Sequence, residues 1–155
     1  MSIQATTHLN FRGDARAALD FYQSVFGGRT TIATYGDFGM PTDAPGADNV
    51  VFGQVETAAG FRVMAYDIPG QAGGSAGHAG STHRENGATL TDQSFFISVR
   101  GDTLDEVQGY WAALSAGAVI VESLAASAWS PGFGMLTDSF GVTWILDVAA
   151  PYNAE

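Results

Sequence analysis

Apolar residues in this chain recur with two different periods, and the period changes in a repeating order. Between Asp14 and Gly27, the residues Ala18, Tyr22, Val25 and Phe26 fall at i, i+4, i+7 and i+8, one face of a helix. Gly27 and Gly28 then supply a left-handed stop. Leu104, Val107, Trp111 and Leu114 form a second stripe of this kind, closed by Gly117. Between the stripes, short runs rich in β-branched and aromatic residues, bounded by Gly, Pro or Asp, predict strands. Before the second helix these are His8 to Phe11, Thr30 to Tyr35, Val50 to Glu56, Phe61 to Tyr66 and Phe95 to Val99. After it come Val119 to Glu122, Phe133 to Leu136 and Val142 to Val148. The predicted order is β-α-β-β-β, twice, an α+β arrangement.

The two halves also align residue against residue. A shift that lays Arg12 on Arg100 lays Gly13 on Gly101, Asp14 on Asp102, Leu19 on Val107, Tyr22 on Tyr110 and Phe26 on Leu114. A slightly smaller shift lays Phe52, Gly53 and Gly60 on Phe133, Gly134 and Gly141, so the first copy has the longer internal loop. The repeated Arg-Gly-Asp is thus expected at the corner from strand to helix, with Asp14 and Asp102 as N-caps. A capping carboxylate is not free to bind a receptor's metal, which argues against an adhesion tripeptide. The expected boundaries, within one domain over 1–155, are a module over 5–67, a connector over 68–93 and a module over 94–148. The loop from Gly36 to Asn49 holds two Pro and three Gly and reads as a rim or lid. The connector is rich in Gly, Ser and Ala, carries His78 and His83, and is expected to be mobile in its middle.

Composition narrows the function. With 155 residues, 46% of them apolar, the chain can bury a sizeable core. Sixteen acidic residues against six basic ones give a net charge of -10, a surface that repels phosphate backbones and anionic lipid, so neither nucleic acid nor membrane is an expected partner. Cysteine is absent, which removes disulfides, thiolate nucleophiles and cysteine-ligated zinc and fits a cytoplasmic location. The opening MSIQATTHLNF has no basic segment followed by an apolar one, and no run reaches the ~18 apolar residues a membrane helix needs, so a soluble, unprocessed chain is expected. There is no G-x-S-x-G elbow, no lysine for a P-loop and no G-x-G-x-x-G before a helix.

The stretches LNFRGDARAALDFYQSVFGG (Leu9 to Gly28), VMAYD (Val63 to Asp67) and WSPGFGMLTDSFGVTWILD (Trp129 to Asp147) sit within this duplicated pattern. Together they resemble the vicinal oxygen chelate superfamily, which includes glyoxalase I, extradiol dioxygenases and the bleomycin and fosfomycin resistance proteins. The likeness runs from about residue 5 to 148 and is nearest to the PhnB-like branch. Relatives in that branch are often labelled ubiquinone methyltransferases, but this chain has no strand and Gly-rich loop suited to S-adenosylmethionine. The resemblance implies two modules that each curl a mostly antiparallel sheet into half of a cup, helices outside and ligand within. It also implies, for the superfamily's enzymes, a divalent metal held by the first and last strands of each module.

Carried over by position, those metal ligands fall on His8 (or Thr7, by counting from the corner), Met64, Ser94 (or Phe95, with a one-residue slip) and Ile145. A hard divalent ion needs several imidazoles or carboxylates, and one imidazole remains here. The resemblance then implies a small-molecule binding protein with an aromatic-lined cup and no cofactor, similar to the bleomycin-resistance type. The alternative is a metal-dependent glyoxalase-like lyase or dioxygenase with a site rebuilt around His8 and Glu56 as catalytic residues, helped by Gln54 or a connector histidine. A third reading is a structural or regulatory dimer with a filled cup.

Alternation places Asn10 beside His8, pairs Gln54 with Glu56, and puts Arg62, Met64 and Tyr66 on one face. An Arg facing inward suits an anionic or carbonyl-bearing ligand. Along the last strand Trp144 and Leu146 should turn to the helix, leaving Thr143 and Ile145 toward the cup. Trp129, in the loop entering a strand, is a candidate to line it. The expected partners are a small molecule and, because sheet edges are exposed, a second copy of the chain, with the modules pairing either within one chain or across the homodimer.

Overall fold

The computed structural model describes residues 2–75 and 82–150. The chain divides into two compact units, Met1–Ser75 and Ala76–Glu155. The first contains β1 (Thr7–Phe11), α1 (Ala15–Phe26), β2 (Arg29–Thr34), a short 3-10 turn (Gly36–Phe38), β3 (Val50–Glu56) and β4 (Arg62–Asp67). The second contains β5 (His83–Glu85), β6 (Ala88–Leu90), β7 (Ile97–Gly101), α2 (Leu104–Leu114), β8 (Val119–Ala125), β9 (Phe133–Thr137) and β10 (Thr143–Val148). Each unit folds one four-stranded sheet, in the order β1-β4-β3-β2 or β7-β10-β9-β8. The helix-crossed pairs β1/β4 and β7/β10 are parallel and all other pairs in these sheets antiparallel. The fold is α+β, with two β-α-β-β-β units of the same topology.

In the first unit α1 buries Ala15, Ala18, Leu19 and Tyr22, and the sheet buries Leu9, Phe11, Val55, Val63 and Ala65. The buried stripe is therefore turned toward Leu19 from the face the periodicity predicted. Val25 and Phe26 lie at its half-buried end, where Phe26 stacks on Phe61 with ring centroids 3.9 Å apart. Each fully buried Leu or Phe contributes about 1.5–3 kcal/mol relative to exposure. Helix and sheet approach closely at Gly53, where a Cβ would stand 2.3 Å from Leu19 Cδ1 and 3.0 Å from the Ala65 carbonyl oxygen. The second unit repeats the device at Gly134, where a Cβ would stand 2.7 Å from the Trp111 ring. These are the two glycines that the internal alignment lays on each other, and close packing accounts for both.

The corners differ from expectation. Asp14 occupies the N-cap of α1, but its side chain makes no capping bond. It accepts instead from Ser75 N and Ser75 Oγ, each at 3.0 Å, tying down the chain after β4. The helix start is held by Asp67, whose Oδ1 accepts the N–H groups of Gly13 and Ala15 at 2.9 and 3.0 Å. In the second unit the cap is Thr103, which accepts Glu106 N at 3.2 Å while the Glu106 carboxylate accepts Asp102 N at 3.1 Å. This is close to a capping box. Arg100 and Gly101 consequently lie inside β7, whereas Arg12 and Gly13 follow β1, so the repeated tripeptide does not occupy equivalent places.

The connector expected over 68–93 is not wholly irregular. Its later part forms the β5/β6 hairpin around Asn86 and Gly87, whose φ of 52 and 78 degrees fit a type I′ turn. Asn-Gly between two short extended runs is the local signal for this hairpin. The mobility expected in the middle of the connector, and His78, fall on 76–81, outside the described residues.

Candidate functional site

The face of the first sheet turned away from α1 gathers most of the predicted site residues. Leu9, Phe11, Val63 and Ala65 are buried on the helix side, so alternation turns His8, Asn10, Met64 and Tyr66 to the other. Register places His8 beside Met64, Met64 beside Gln54, and Gln54 beside Thr31. The next row places Arg62 beside Glu56 and Glu56 beside Arg29. In the third row Asn10 stands beside Tyr66. Thr7, the other candidate for the first-strand position, pairs with buried Val63 on the helix side, and the register from Thr7 to Phe11 is unbroken.

Two hydrogen-bonded groups occupy this face. His8 Nδ1 lies 3.0 Å from Asn10 Oδ1, and its ring meets Tyr66 edge to face with centroids 5.2 Å apart. Glu56 sits between two guanidinium groups, Arg29 at 2.5 Å and Arg62 at 3.4 Å, and accepts Gln54 Nε2 at 3.1 Å. Arg62 also donates to Gln4 Oε1. The hydrogen bond from Arg29, reinforced by the charges of both arginines, holds the Glu56 carboxyl below the usual glutamate range. Glu56 is therefore an anion engaged on both oxygens. Two strands and one row separate it from His8, about 12 Å between Cα atoms at ordinary strand spacing.

Tyr35 marks one margin of the first unit. Its hydroxyl donates to the Asp67 carbonyl at 2.7 Å, and burial, with Tyr66 and Asp67 nearby, pushes the phenol above its ordinary value. It is a protonated, committed donor rather than a base.

The predicted residues of the second unit are dispersed. Ile145, on the face of β10 away from α2, lies between Met135 of β9 and Ser98 of β7. Ser94 and Phe95 precede β7 and are exposed. The strand position beside Ile145, equivalent to that of His8 beside Met64, belongs to Ser98, which sequence reasoning missed. The alternation of apolar Ile97 and Val99 was the available signal, and counting from the Arg-Gly-Asp corner obscured it.

Trp144 and Leu146 are fully buried as expected, and the indole N–H donates to Asp138 at 2.9 Å. Thr143 is also buried, its hydroxyl 2.7 Å from that of Thr137. Trp129 is 59% exposed and meets Phe133 edge to face at 5.4 Å. Its loop is anchored by the buried Ser130 hydroxyl, 2.7 Å from the carbonyl oxygens of both Gly132 and Val148.

The β5/β6 hairpin lies against this second sheet. Arg84 approaches Glu122 of β8 at 3.4 Å and donates to Thr89 at 2.9 Å, and Thr89 reaches Met135 Sδ at 3.6 Å. Met135, next to Ile145, is 1% exposed. His83 stays exposed on the hairpin, 3.7 Å from Glu85. Among the described residues, no three His, Cys, Asp or Glu side chains gather as a group able to hold a metal ion. In the first unit the donors beside His8 are a thioether and an amide, a poor match to a hard divalent ion.

The duplicated β-α-β-β-β topology meets the expectation of one superfamily. The model of the Glyoxalase/Bleomycin resistance protein/Dioxygenase superfamily matches residues 6–146, and the chain belongs to that superfamily. Protein PA1353 of Pseudomonas aeruginosa is 26% identical, with a TM-score of 0.74 over 95% of this chain and 98% of its own. A PhnB protein of Bacillus cereus is 21% identical, with a TM-score of 0.65 over 95% of this chain and 100% of its own. A glyoxylase/bleomycin resistance protein/dioxygenase domain of Frankia shares the fold at 11% identity and a TM-score of 0.61, covering 97% of this chain and 99% of its own. No curated protein matches the chain. Among the described residues no helix is long and apolar enough to cross a membrane.

Proposed function

We propose that this protein binds a small organic molecule on the sheet face carrying His8, Asn10, Gln54, Arg62, Met64 and Tyr66, and does so without the superfamily's metal. The observation that carries this reading is the engagement of Glu56. Among the described residues it is the only carboxylate that register puts with them, and both its oxygens are taken by Arg29, Arg62 and Gln54. His8 is left with Met64 and Gln54 as its row neighbours, donors that suit contact with an organic ligand better than with a hard cation. The face combines an aromatic ring, a thioether, an imidazole and a guanidinium, the mixture of apolar wall and few polar anchors typical of ligand sites.

The chain is further inferred to act in the cytoplasm and to pair with a second copy of itself, the strands that end each sheet being the surfaces on which a further strand could add. The metal-dependent alternative, a glyoxalase-like lyase or dioxygenase centred on His8 and Glu56, requires Glu56 to leave both arginines and approach His8. Elemental analysis of the purified protein tests the choice. Far less than one Zn, Ni, Mn or Fe per chain is expected. A stoichiometric metal, with ligand binding lost on chelation, would sink the reading.

A further inference from the structure

We propose that Asn10 is a positioning residue that fixes His8 as its Nδ1–H tautomer, so that Nε2 accepts a hydrogen bond from a ligand whose anionic end lies toward Arg62 and Arg29. The ligand class is a small aromatic acid bearing a neutral O–H or N–H donor at its far end. This rests on reading the first sheet face as the binding surface and adds to it an orientation and a ligand chemistry.

The contact that motivates this tautomer is between His8 Nδ1 and Asn10 Oδ1, 3.0 Å apart: with the amide oxygen as acceptor, Nδ1 is the nitrogen that carries the proton. A neutral ring protonated at Nδ1 keeps its lone pair on Nε2. Tyr66, edge to face at 5.2 Å, packs against the ring and limits its rotation. The residues at i and i+2 of an edge strand project to one side, so Asn10 is placed to do this only because both belong to β1.

The other end of the ligand is set by charge. Arg29 and Arg62 share a single carboxylate, Glu56, which leaves the row with an excess positive charge inside a chain whose net charge is -10. An anion that approaches this face is attracted there and repelled by most of the remaining surface. Arg62 is one strand and one row from His8, about 8 Å between Cα atoms by strand spacing. A para-substituted aromatic acid matches that span, with its ring over Met64 and beside Tyr66.

The test uses the full chain and two probes, 4-hydroxybenzoate and 4-methoxybenzoate, which differ in whether they offer a donor. Nitrogen-15 NMR of the imidazole groups, with His8 assigned from the signals lost in His8→Ala, reads the tautomer without ligand. The wild type is expected to show Nδ1–H at His8. Asn10→Ala should shift it toward the Nε2–H form favoured by free imidazole, and Asn10→Asp, which keeps an acceptor oxygen, should restore Nδ1–H. His8 and Asn10 are both exposed, so all three variants should fold, and backbone spectra check this.

In binding, the wild type should prefer 4-hydroxybenzoate over 4-methoxybenzoate by about tenfold, the worth of one hydrogen bond, and Asn10→Ala should lose the preference. A wild-type Nε2–H tautomer, or a preference that survives Asn10→Ala, overturns the positioning role while leaving the binding face intact. The expected tautomer with no binding of either probe overturns the ligand assignment and weakens the binding reading itself. Saturation of His8 Nε2 by stoichiometric zinc, with probe binding then dependent on it, overturns both.

Discussion

The carboxylate of Asp67, at the end of β4, accepts the backbone N–H of Ala15, the first residue of α1, at 3.0 Å. The same oxygen takes the N–H of Gly13 at 2.9 Å, and the other takes that of Val50 at 2.8 Å. One buried side chain thus joins the start of the helix, the strand beside it and the entry to β3. Asp67→Asn keeps the volume but offers one acceptor oxygen in place of two, so at least one buried N–H loses its partner. The expected cost is about 2–3 kcal/mol, read from urea unfolding midpoints at constant m-value. A loss below about 0.5 kcal/mol would show that the junction is held by something else.

Gly53 is expected to resist any side chain. In Gly53→Ala the new methyl meets Leu19 Cδ1, which is fully buried and has no free space to enter. Overpacking of this kind costs about 1–3 kcal/mol. Leu19→Ala alone should cost about 2–5 kcal/mol, through lost burial and the cavity left behind. The double variant should be less destabilised than the sum, because the smaller residue vacates the space the methyl needs. Additive effects would mean that Leu19 does not pack on Gly53.

Thr103, and not Asp102, should prove to be the cap of α2. Thr103→Ala removes the acceptor of Glu106 N and is expected to cost about 1 kcal/mol. Asp102→Ala should stay within about 0.5 kcal/mol, since Asp102 contributes its backbone N–H to the motif and that survives the change.

These junctions also show what a sequence can and cannot reveal. The two helices, the order of strands and the common face of Arg62, Met64 and Tyr66 were legible, because periods of 3.6 and 2 are local properties of the chain. Asp14 was legible as the N-cap position of α1, but the carboxylate that holds the helix start was not, because Asp67 reaches it from the far end of the unit and only parallel pairing of β4 with β1 brings it there. Ser98 was hidden for a related reason. Arg-Gly-Asp looks like one ruler used twice, yet its first two residues follow the strand in one unit and end it in the other. The state of Glu56 was equally invisible, since it depends on the register that sets Arg29 opposite it.

The pH dependence of stability should carry the signature of Glu56. Its carboxyl is held below the ordinary glutamate range by the Arg29 hydrogen bond first and by the charges of Arg29 and Arg62 beside it. A group whose folded value is depressed stabilises the protein above its unfolded-state value, and that contribution disappears as pH falls through the folded value. Wild type should therefore melt above Glu56→Gln at neutral pH and low salt, with the difference closing on acidification and shrinking in high salt. A constant gap across the acid range would show that the ion pairs are not its source.

Metal-free protein should bind its ligand as tightly as protein supplied with a divalent ion. The full chain is treated with a chelator, dialysed and shown by elemental analysis to be free of divalent metal, and 4-hydroxybenzoate is then titrated by calorimetry with and without added Zn, Mn or Fe(II). The same affinity is expected in every case, with weakened binding in Arg62→Ala and His8→Ala. Binding that vanishes on chelation and returns with one equivalent of a divalent ion would contradict this.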